Sequence, residues 1–147
     1  MITFMHMAVS NQIDSAGIDI GSARSWRRAG LTASQFRLAI QHGELVRVRR
    51  GVYTTRAFMT KAAEKSVLWQ VLHVASAVCV QSARDAAASH QTAAVIHGLS
   101  LLNRPDAGIV QLTRPPGRYR GSGVPGVRFH SAALPPAHVV TRHGVRL

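Results

Sequence analysis

Apolar residues recur at two different periods between Ser22 and Arg56, and the change of period divides that stretch into three pieces. Behind Ser22, whose hydroxyl suits a helix cap, Ala23, Trp26 and Ala29 or Leu31 fall on one side at helical spacing. Gly30-Leu31-Thr32 then supplies a stop and a new cap. Glycine accepts the left-handed conformation that ends a helix, and threonine can accept from the first free N–H groups of the next. From Thr32 onward Phe36, Ala39 and Ile40 share one helical face, while Ser34, Gln35, Arg37 and Gln41 share the other. After Gly43 the period drops to two: Leu45, Val46 and Val48 interleave with Arg47 and Arg49, Arg50-Gly51 offers a turn, and Val52-Tyr53-Thr54 returns as a β-rich run. Helix, helix, hairpin over residues 22–57 is the order of a winged helix-turn-helix.

Beyond it, Ala62, Ala63, Val67, Leu68, Val71, Leu72, Ala75 and Val78 keep spacings of three and four, predicting one long helix from Thr60 or Lys61 to about Ser82. Its stripe is wide enough to pack on two sides. A shorter helix is expected from the cap at Ser89 through Ile96 to a stop at Gly98. From Ile109 the texture turns to β: residues 109–113, 126–130, 139–141 and 145–147, separated by turns rich in Pro and Gly. The chain is thus expected to be α+β, with a poorly ordered segment over 1–21, the winged helix-turn-helix over 22–57 and a small helix-and-sheet domain over 60–147. The last run ends on Leu147, the final residue, as if a longer relative would continue it.

Charge sharpens this picture. The net charge is +12 over 147 residues, and the stretch from Ser22 to Arg56 holds eight arginines against the single acid Glu44. A polyanionic partner is implied, whether nucleic acid, an anionic membrane face or an acidic protein. The hydrophobic fraction of 46% is too high for a disordered basic tail. Cys79 is the sole cysteine, so neither an internal disulfide nor a thiolate metal cluster can form, and it reads as a small buried hydrophobe. The apolar run Val67 to Val80 is broken by Gln70, His73 and Ser76, too short to span a bilayer, and the N-terminus lacks the pattern of a signal peptide; a cytoplasmic location is expected.

Catalytic chemistry has no foothold in the pattern. The six acids at 14, 19, 44, 64, 85 and 106 form no close pair, and no nucleophile stands with a base at a recognisable spacing. Gly121 to Gly126 is broken by Pro125 and leads into a strand, so it fails as a nucleotide cradle. His90 and His97, seven apart, lack further ligands for a metal. No enzyme activity, cofactor or metal is therefore expected.

Duplex recognition fits the residues better. Thr32, Ser34, Gln35, Arg37 and Gln41 front the second helix, where arginine suits guanine and glutamine suits adenine, each bidentate pair worth about 1–3 kcal/mol of discrimination. Arg27 and Arg28 before the turn, with Arg47, Arg49, Arg50 and Tyr53 on the hairpin, would engage phosphate or the minor groove. Trp26 reads as the aromatic that fills the centre of so small a unit. A second basic cluster, Arg114, Arg118, Arg120, Arg128, Arg142 and Arg146, fits a further nucleic-acid contact, an acidic partner or a solvated loop.

Three stretches together resemble the AbiEi family of type IV toxin-antitoxin antitoxins, especially its actinobacterial branch. They are the helix-turn-helix from Ala29 to Phe36, the hairpin from Gly43 to Tyr53, and Ala88-Ser-His-Gln-Thr-Ala-Ala-Val-Ile-His-Gly-Leu99. The similarity runs from about residue 20 to the end. It implies an N-terminal winged helix that represses its own operon as a monomer or dimer on repeated operator sites, joined to an α/β domain that neutralises a nucleotidyltransferase-like toxin. Two alternatives stand beside the repressor: a protein-binding module that clamps such a toxin, and a phage immunity-type repressor with the same winged helix.

Overall fold

The computed structural model describes residues 19–81, 85–103, 108–117 and 123–147, which form an α+β chain. Strand β1 (Ile20–Ser22) leads into helix α1 (Ala23–Arg28), and Ser22 Oγ accepts from the Ser25 N–H at 3.1 Å as the sequence predicts. The expectation of a poorly ordered segment over 1–21 therefore needs correcting at its end: Ile20 and Gly21 belong to a strand, paired with Thr54 and Tyr53. The rest of that segment, up to residue 18, lies outside the described residues.

Helix α1 ends as the glycine requires. Gly30 sits at φ +106, its N–H donates to Arg27 O, and the Leu31 N–H reaches back to Trp26 O. That is the double bond pattern of a left-handed helix stop, with Leu31 packed in the same small cluster as Trp26. Helix α2 (Ala33–Gln41) then begins on a capping box: Thr32 Oγ1 accepts from the Gln35 N–H at 3.2 Å, and Gln35 Oε1 accepts from the Thr32 N–H at 2.9 Å. Gly43, at φ +70, closes it by the same device.

Strands β2 (Leu45–Arg49) and β3 (Val52–Thr55) form the expected hairpin, and β1 completes a three-stranded antiparallel sheet in the order β1-β3-β2. Trp26, Ala39 and Leu45, with Leu31, Phe36 and Tyr53 against them, make a small core of their own. Trp26 is 1% exposed, and its indole N–H donates to Tyr53 O at 3.3 Å. Ile40, assigned by spacing to the inner face, stays 36% exposed and is not part of that core.

The long helix predicted from residue 60 or 61 is two helices. Thr55 Oγ1 caps α3 (Arg56–Glu64) by accepting from the Phe58 N–H, and Lys65 turns extended before α4 (Ser66–Gln81) begins. The polar run Glu64-Lys65-Ser66 interrupts the apolar stripe at that point. The bend lets Phe58 and Ala62 of α3 enter the same cluster as Val71, Leu72, Val74 and Ala75 of α4. Helix α4 touches α3, β1, β2 and β3 and also α5, β5 and β8, so its wide apolar stripe packs against both the hairpin sheet and the later elements.

Strand β4 (Ala87–Ala88) pairs antiparallel with β5 (Val110–Arg114), which pairs in parallel with β6 (Val127–Ser131). Helix α5 (His90–Ile96) covers β5, and a 3-10 turn (Pro136–His138) precedes the hairpin β7 (Thr141–Arg142) and β8 (Val145–Arg146). A single buried cluster runs from Ile20 and Val52 through α3 and α4 to Val110, Leu112, Val145 and Leu147. The boundary expected between residues 57 and 60 therefore falls inside continuous core. Among the described residues no helix is long and apolar enough to cross a membrane.

Candidate nucleic-acid interface

Arg24, Arg27 and Arg28 stand at spacings of three and four, so they share the side of α1 away from buried Trp26, and all three are exposed. With Leu31, Thr32 and Ala33 they line an open concavity of about 600 Å³ between α1 and the start of α2. Neither helix contains an acid. Three guanidinium forks and the positive end of a helix dipole converge on one hollow, a combination suited to an oxyanion such as a backbone phosphate. Arg27, Arg28 and Thr32, expected together at a DNA-binding face, line this hollow with Arg24, which the sequence reading did not include although its helical spacing from the other two was legible.

Helix α2 presents its front beside that hollow. At about 100° per residue, with Ala39 buried and Phe36 half-buried behind, Ser34 and Gln41 point most directly outward, and Arg37 and Leu38 flank them. All four are exposed, Leu38 to 49%. Gln35 lies nearer the edge of the front. Its side chain is folded back onto the helix N-terminus by the capping box, so the amide expected to pair with adenine is engaged in holding the turn.

The hairpin divides its three arginines. Arg47 and Arg50 are exposed, but Arg49 is turned inward. Its Nε donates to Ser76 Oγ of α4 at 2.8 Å and its Nη1 to Pro125 O at 2.6 Å. The cause is a register shift: Arg47 pairs with Tyr53, yet Arg49 pairs with Val52, so Val48 is the extra residue of a bulge. Strict alternation would aim Arg47 and Arg49 the same way. The bulge instead puts Arg49 on the Val52 side, facing α4, where burial lowers its pKa. The expected phosphate or minor-groove role for Arg49 is corrected to that of a bolt between hairpin and α4.

Tyr53 is corrected in the same way. Its ring meets Phe36 edge-on at 5.1 Å and 86°, against the small core, so it braces the back of α2 and does not point outward from the hairpin.

The second basic cluster is only partly brought together. Arg114 lies 4.3 Å over the Phe129 ring, Arg142 reaches His97 O at 3.4 Å, and Arg128 is exposed. Arg118 and Arg120 lie outside the described residues. His90 does not pair with His97; it stacks on His130 at 4.0 Å, and His130 Nε2 bonds Gln111 Oε1 at 3.1 Å. Desolvation first, then the facing His90 and Arg128, lowers the His130 pKa. Among the described residues no three His, Cys, Asp or Glu side chains gather to hold a metal ion. Compared with known proteins, the chain matches no family model and no curated protein.

Proposed function

We propose that this chain binds double-stranded DNA sequence-specifically through a winged helix-turn-helix and represses transcription, in the manner of an autoregulating antitoxin. The observation that carries the proposal is the junction of α1 and α2, where Arg24, Arg27 and Arg28 line one hollow at the foot of an exposed polar helix. A B-form major groove about 12 Å wide admits such a helix, and a phosphate of the adjoining strand would then fall into the hollow. Ser34, Arg37 and Gln41 would meet base edges. Arg47 and Arg50 would rest on the neighbouring backbone, adding affinity without sequence preference.

The test is a gel shift on the DNA upstream of the chain's own gene, with specific and scrambled competitors, at about 0.1 M salt. A shift that resists scrambled DNA, and that loses preference at one or two base pairs with Arg37→Ala, supports the proposal. Equal competition by both DNAs, or no shift, contradicts it.

A second reading, a module that grips a nucleotidyltransferase-like toxin, draws on one specific feature. Leu99 and Leu102, in the segment after α5, are 62% and fully exposed. Co-purification of such a partner, surviving Arg37→Ala and lost with Leu99→Asp, together with absent duplex binding, would favour it over the repressor.

A further inference from the structure

Leu38 is out of place on a purely polar front. It is 49% exposed at the middle of α2, one turn from Ser34 and just under one from Gln41, with Arg37 on the opposite flank. Nothing in the small core needs it: Trp26, Leu31, Phe36, Ala39, Leu45 and Tyr53 fill that centre without it. Nor is it an isolated apolar residue on an indifferent surface, because its helix starts at a hollow lined by three arginines.

We propose that Leu38 is a specificity-determining residue that packs on the C5-methyl group of a thymine in the major groove. The inference rests on the duplex-binding reading above. Of the four bases only thymine offers a methyl group on the major-groove edge, and an aliphatic side chain is its natural complement. Arg37, Ser34 and Gln41 around it would hydrogen-bond the neighbouring base edges, so the site read by α2 contains an A·T pair at the step facing Leu38. A double-stranded RNA, whose major groove is deep and narrow and whose uracil lacks the methyl, is excluded by the same contact.

The full chain first selects binding sites from a random-sequence duplex pool. Each thymine of a selected site is then replaced by deoxyuridine, which removes only the methyl group, and affinity is measured by fluorescence anisotropy. At one or two positions the wild-type chain should bind the uracil duplex about four-fold more weakly, the effect of one methyl left unburied. Leu38→Ala should bind thymine and uracil duplexes equally at those positions, and Leu38→Met should restore part of the difference. Wild-type binding that is indifferent to every uracil replacement overturns the inference and leaves duplex binding standing. Methyl sensing that persists in Leu38→Ala also overturns it, as does a change of oligomeric state in Leu38→Ala seen by sedimentation without DNA, which would make the residue a contact between copies. Failure to select any site sinks the duplex-binding reading and this inference together.

Discussion

At the residue scale, four side chains predicted to touch DNA, Thr32, Gln35, Arg49 and Tyr53, make contacts that hold the fold, and this changes what their substitution should do. Arg49→Ala removes two hydrogen bonds from a charged, half-buried group. Destabilisation of about 2 kcal/mol is expected in a denaturant melt, with the salt slope of DNA binding unchanged among folded molecules. A slope flattened by about one at unchanged stability would instead return Arg49 to the phosphate contacts. Thr32→Ala breaks the capping box and should cost about 1 kcal/mol, again read from the denaturation midpoint. Trp26 was legible as core because so small a unit needs one large aromatic, and Trp26→Ala should cost about 3–5 kcal/mol. Gln35 could have been read as a capping side chain, because Thr32-Ala-Ser-Gln35 has the Thr-x-x-Gln spacing of a capping box, but its place on the helix front favoured the base-reading role.

At the element scale, helix boundaries written in glycine, serine and threonine were readable. Gly30, Gly43 and Gly98 each take a left-handed conformation one residue past a helix cap, where the pattern put a stop. Gly30→Ala should therefore cost about 1–2 kcal/mol of strain, although no atom crowds the site. A midpoint equal to wild type would show that the turn can relax into another form. Two features escaped the periodicity. The bend at Lys65 joins two stripes that look like one at spacings of three and four. The bulge at Val48 cannot be seen in an alternating Arg-Val-Arg-Arg run, because nothing in the residue types says which one is the extra. That single insertion decides which arginine serves the exterior and which the interior.

At the scale of the whole molecule, the hairpin and the helix-and-sheet part share one buried cluster, which a linear reading split at residues 57–60. The split looked natural because Thr54-Thr55-Arg56 ends a strand and starts a helix at once. Helix α4 joins the two, and His73 on it lies among Trp69 (ring centroids 4.5 Å apart), Ser76 and the charge of Arg49. Burial first, and then Arg49, lowers its pKa from 6.5 to about 4, and its Nε2 is buried without a partner. The neutral ring is thus favoured in the folded state, while the unfolded chain takes up a proton near pH 6.5. Stability from this residue is complete above about pH 6.5 and is lost as pH falls toward 4. Thermal melts of wild type and His73→Leu should converge in slope above pH 7, with wild type falling more steeply between pH 6.5 and 4. Parallel curves throughout would place the ring in water.

The proposed duplex-binding face joins the hollow lined by Arg24, Arg27 and Arg28 to the front of α2. The most direct test is the salt dependence of binding to a selected duplex, compared between the wild-type chain and Arg24→Ala/Arg28→Ala. Each phosphate contact contributes a slope of about −0.9 in log K against log salt. The double variant should therefore bind all sequences more weakly, with a slope flattened by about two and an unchanged melting temperature. An unaltered slope, or no duplex binding by the wild type at about 0.1 M salt, would contradict it.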